Sequence, residues 1–77
     1  MAYIAQFFES TVNARPHPSE VECGWQVIQG ADGPLLQLRT YGSDARRSGK
    51  KVSQALELDR LGATRLVELI RSLVHRA

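Results

Sequence analysis

The chain has 77 residues, 43% of them hydrophobic and 23% charged, with a formal net charge of +2. That balance fits one soluble globular domain and leaves no apolar run long enough to span a membrane. One cysteine, Cys23, excludes an internal disulfide, and one cysteine with two distant histidines cannot make a four-ligand zinc site. A domain this small buries only a modest core, so oligomerisation is the expected supplement. The first residues lack the basic start and long apolar stretch of a signal peptide, which predicts a cytoplasmic protein.

Residues 1–8, MAYIAQFF, are apolar and rich in aromatic types. They read as a short strand or as one turn of helix, with strand preferred over residues 2–8. NARPHPSE follows, and Pro16 and Pro18 make it irregular. In EVECGWQVIQ, the residues Val21, Cys23, Trp25 and Val27 alternate with Glu20, Glu22, Gly24 and Gln26. This is a period-two strand with one apolar face, so Cys23 is expected to be a buried inert thiol and Trp25 a core residue. GADGP is a turn, and LLQLRTY is the second arm of the hairpin. Leu36, Leu38 and Thr40 share one face of that arm. Arg39 shares the other with Leu35, Gln37 and Tyr41, and that side is expected to face solvent.

GSDARRSGKK has two glycines and no periodicity, so it reads as a loop of about ten residues, longer than an ordinary hairpin connection. VSQALEL alternates again, setting Val52, Gln54, Leu56 and Leu58 against Ser53, Ala55 and Glu57. Gln54 is a polar residue on the apolar side and needs a partner, for which the backbone of the long loop is the preferred candidate. Asp59 has the character of a helix N-cap. From Arg60, the residues Ala63, Leu66, Val67, Leu69, Ile70, Leu73 and Val74 form one broad stripe, with Leu61 off it. The stripe is wider than one sheet face requires. Either the helix is deeply seated on its own sheet, or the surplus packs on a second subunit. The predicted fold is therefore α+β: a four-stranded antiparallel meander followed by one C-terminal helix (ββββα), with a dimer expected through Leu66, Leu69, Ile70 and Leu73.

Charge is unevenly spread. Five of the ten cations, Arg39, Arg46, Arg47, Lys50 and Lys51, lie between positions 39 and 51 against a single acid, Asp44. Such a cluster can serve as a patch for a polyanion or simply solvate a loop. No catalytic set accompanies it. His17 lies between two prolines, His75 is on the polar side of the helix end, and Ser43, Asp44 and Ser48 have no base to activate them. No phosphate-binding glycine motif is present. An enzyme is not expected, and no cofactor or metal is called for.

LLQLRTY, the SGKK that precedes an alternating strand, and the LD that opens the helix together resemble the transcriptional coactivator positive cofactor four and its small bacterial relatives, over roughly residues 25–74. The chain is also similar to a group of small bacterial proteins in which an EVEC strand and a YGSD…KVSQ segment recur, a likeness that carries no function. The coactivator likeness implies a homodimer formed through the helices, with curved sheets that bind single-stranded nucleic acid, DNA ahead of RNA, and a role in transcription or other DNA transactions. It places Arg39 and the pair Lys50 and Lys51, after Gly49, at backbone-contacting positions, with Tyr41, Arg46 and Arg47 beside them. The family has stacking aromatics where this chain has Gly42 and Gly30, which leaves Tyr41 and Tyr3 as the aromatic candidates. The alternative expectation is a protein-interaction or regulatory module without nucleic-acid activity.

Overall fold

The structure, a computed structural model, describes residues 1–42 and 51–76. It has four strands and one helix: β1 (Ala2–Tyr3), β2 (Glu22–Gly30), β3 (Gly33–Tyr41), β4 (Val52–Leu58) and α1 (Arg60–Val74). The strands form one sheet in the order β1-β4-β3-β2. The α+β class and the C-terminal helix agree with the sequence. The sheet, however, is mixed. β2, β3 and β4 make the expected antiparallel meander, but β1 runs parallel to β4, with Ala2 opposite Leu56 and Tyr3 opposite Glu57. The predicted first strand over residues 2–8 shrinks to two residues, extended by one further bond from Ile4 N–H to Glu57 C=O at 2.9 Å.

Local chemistry explains the well-predicted elements. β2 and β3 join through Ala31 and Asp32, and Gly33 has φ +134°, a backbone angle that suits glycine. Pro34 sits in β3 beyond the last pair with β4, Leu36 opposite Leu58, so its missing N–H costs the ladder nothing. Asp59 caps α1: its Oδ1 accepts from Gly62 N–H at 2.9 Å. A Cβ at Gly62 would lie 3.3 Å from Leu58 Cδ2, which is how closely the helix approaches β4.

The core is thin. Leu58, 2% exposed, is the one buried hydrophobic among the described residues. α1 has no buried residue, and its half-buried positions Gly62, Ala63 and Leu66 all fall in its first half. The helix packs chiefly on β3 and β4. Trp25 and Val27 on β2 are consequently 72% and 60% exposed, and Cys23 is exposed as well. The expectation of a buried Cys23 and a core Trp25 is thus corrected. Alternation identified the apolar face, but among the described residues none buries Trp25 or Val27.

A β-bulge alters the last strand. Thr40 faces Gln54 while Tyr41 faces Val52, so Ser53 is the extra residue. Ser53 Oγ lies 2.8 Å from Thr40 Oγ1. Val52 is thereby paired with Tyr41 and leaves the series Gln54, Leu56, Leu58 in which strict alternation placed it. Gln54 itself is exposed, and the loop backbone expected to partner its amide lies outside the described residues.

Candidate nucleic-acid interface

The sheet face away from α1 carries a hydrogen-bonded row of polar side chains. Arg39 Nη2 donates to Gln37 Oε1 at 2.6 Å, and Gln37 Nε2 donates to Glu57 Oε1 at 2.7 Å. Gln37 Nε2 also lies 3.7 Å from Met1 Sδ. Gln37 is only 7% exposed, which corrects the expectation that this face is open to solvent along its length. Arg39 is half-buried rather than solvated. Its guanidinium is held by an amide oxygen, not by a carboxylate, and among the described residues it forms no ion pair. The side chain is therefore oriented while its positive charge stays available to an anion.

Tyr41 lies on the same face, diagonal to Gly24, whose register partner is Arg39. A Cβ at Gly24 would come within 3.2 Å of Tyr41 Cε2, so the phenol ring packs directly over the bare backbone of β2. One side of the ring is thus supported by the sheet. Lys51 is exposed at the start of β4, and its C=O accepts from Gly42 N–H at 3.2 Å, which closes the ends of the basic loop beside Tyr41. Arg39 and Tyr41 share this face, and Lys51 lies at the same end of the sheet. Arg46, Arg47 and Lys50, together with Ser43, Asp44, Ser48 and Gly49, lie outside the described residues.

The two glycines at aromatic positions differ physically. At Gly30 a Cβ would meet Leu35 Cδ1 at 2.7 Å, so the Leu35 side chain already fills that space. At Gly42 a Cβ would meet nothing within 4 Å, so the position has room for a ring that the sequence does not supply. Tyr3 does not substitute: its hydroxyl donates to Asp59 Oδ2 at 2.7 Å, at the opposite end of the sheet. There it borders a cleft of about 370 Å³ with Asp32, Pro34 and Arg60. The hydrogen bond to Asp59 holds the Tyr3 phenol above its ordinary pKa, with desolvation adding to it. Asp59 is held below the usual carboxylate value, first by the Gly62 N–H and then by Tyr3. Sequence reading missed Gln37 and Glu57 as the groups that position Arg39. The only signal was that all three fall on one face of adjacent strands.

Of the four helix residues expected at a dimer contact, Leu66 is half-buried and Leu69, Ile70 and Leu73 are exposed. Leu69 and Leu73 border a cleft of about 390 Å³ with Phe7 and Phe8 of the same chain. Among the described residues no group of three His, Cys, Asp or Glu side chains is placed to hold a metal ion, and no helix is long and apolar enough to cross a membrane. No family model, curated protein or solved structure matches the chain.

Proposed function

We propose that the protein is a small homodimeric module that binds single-stranded nucleic acid, DNA in preference to RNA, without catalysis. The observation that carries this reading is Arg39: a half-buried guanidinium fixed by Gln37, with no carboxylate neutralising it among the described residues. Tyr41 beside it offers a supported ring for one base, and Lys51 marks the root of a segment containing three more cations. The resemblance to the coactivator family supports the same assignment. With one aromatic platform instead of several, phosphate contacts supply most of the affinity, which makes binding salt-sensitive. The exposed apolar stripe of α1, including Leu69, Ile70 and Leu73, supports the homodimer. The same exposed surface also favours the second reading, a module that binds a different protein.

Fluorescence anisotropy with a short labelled single strand tests the first reading. We expect measurable affinity at low salt, weaker affinity for the matching duplex, and a loss of about tenfold or more in Lys50→Ala/Lys51→Ala. No binding at low salt would sink the nucleic-acid assignment.

A further inference from the structure

The two edges of the sheet are built differently. On one side, β4 is covered by β1 at Leu56 and Glu57, carries the bulge at Ser53 and begins next to Lys51. On the other side, β2 is the end strand, and among the described residues nothing pairs with its outer edge. β2 is nine residues long, against an average strand of about five or six. Its sequence, ECGWQVIQG, contains no proline, lysine or arginine, and its register with β3 is unbroken from Glu22 to Gly30. Proline, lysine and bulges are the usual devices that keep an edge strand from pairing with another chain. β2 has none of them.

The register also fixes which backbone groups face outward. Opposed residues in an antiparallel ladder alternate between hydrogen-bonded and non-bonded pairs. Pro34 has no N–H and cannot complete a bonded pair, so its pair with Gln29 is a non-bonded one. The bonded pairs are then Ile28 with Leu35, Gln26 with Gln37 and Gly24 with Arg39. Gln29, Val27, Trp25 and Cys23 therefore turn their N–H and C=O groups away from β3, in a row about 20 Å long. Cys23, Trp25 and Val27 also have exposed side chains, all on the apolar face. Their neighbours on the other face, Gly24 and Gln26, are uncharged, and Glu20 and Glu22 make the start of the strand acidic.

We propose that the outer edge of β2 is a docking site for an extended segment of another protein, which adds a fifth strand to the four-stranded sheet. Backbone hydrogen bonds to Cys23, Trp25, Val27 and Gln29 hold the segment. Its alternate residues lie beside Trp25 and Val27 in cross-strand pairs that favour β-branched and aromatic types. A lysine or arginine at the end nearest Glu20 and Glu22 completes the match. β2 itself has no cation to meet those acids, so a second copy of β2 is the poorer occupant. The site does not rest on the nucleic-acid reading. It gives the protein-binding alternative a defined mode of contact.

A phage-displayed library of short linear peptides, panned against the full chain, supplies the probe. Selected peptides should share alternating β-branched or aromatic residues and carry a lysine or arginine. As synthetic peptides they should slow hydrogen exchange at the Cys23, Trp25, Val27 and Gln29 amides, which exchange freely in the chain alone. N-methylation of alternate peptide amides should weaken binding by about tenfold in one parity and little in the other. Val27→Pro keeps the ladder to β3, because the N–H it removes faces outward, and should abolish binding. If that variant does not fold, Val27→Lys decides, since a lysine on the edge also blocks pairing. A panning that enriches no peptide would overturn the proposal, and so would peptides that protect α1 amides instead of those of β2. Slow exchange at these amides in the chain alone would overturn it too. With a dimer in sedimentation, that result assigns the edge to a second copy, and with a monomer to another part of the same chain.

Discussion

Asp59 joins two parts of the fold through one carboxylate. Oδ1 caps the helix at Gly62, and Oδ2 takes the Tyr3 hydroxyl, which ties β1 to the start of α1. The carboxyl is depressed in the folded state, so its contribution is present above the ordinary carboxylate pKa and is lost as pH falls through the lower folded value. Tyr3 works in the opposite sense. Its pKa is raised, so its contribution is complete below the ordinary tyrosine value and fades as pH rises through the higher folded value. Thermal melts of Asp59→Ala should show a lower Tm by several degrees at neutral pH and a smaller difference from the parent in acid. Tyr3→Phe should differ least from the parent in strong alkali. A pH-independent gap in both variants would contradict this account. Gln37 also joins two neighbours, Arg39 and Glu57, through its amide. Gln37→Ala removes the amide between Arg39 and Glu57, and urea unfolding should show a loss of about 1–3 kcal/mol. The same variant should weaken oligonucleotide binding, because Arg39 loses its orientation.

The elements differ in how openly the sequence declares them. The turn between β2 and β3 is legible because Asp32 and Gly33 fit it and Gly33 takes φ +134°. Gly33→Ala should therefore destabilise by about 1–3 kcal/mol in the same urea assay. The helix start is legible from Asp59 and the apolar period that follows it. β1 is not legible as drawn: two residues carry no periodicity, and their parallel pairing depends on where β4 lies in space. The bulge at Ser53 is hidden for a similar reason. Alternation in VSQALEL runs on unbroken, and only pairing against Thr40 and Tyr41 shows that one residue is extra. Trp25 teaches a different lesson. Alternation placed it correctly on the apolar face, yet burial depends on what crosses that face, and α1 packs chiefly on β3 and β4 and leaves Trp25 exposed.

At the scale of the whole molecule, two unlike faces share one thin sheet. One is apolar and unfinished, with Leu58 as its lone buried hydrophobic among the described residues. The other holds Arg39 and Tyr41 beside the root of the basic segment. Arg39 was readable as a candidate from its strand position and its cationic neighbours. Its anchoring by Gln37 was not, because that contact arises from strand pairing and from the reach of Glu57 across the ladder. The most direct check is the salt dependence of affinity for a short single strand. Engagement of the five cations on one subunit predicts a plot of log affinity against log salt with a slope of about −3.5. An affinity that is absent at low salt, or that does not change with salt, would contradict the account.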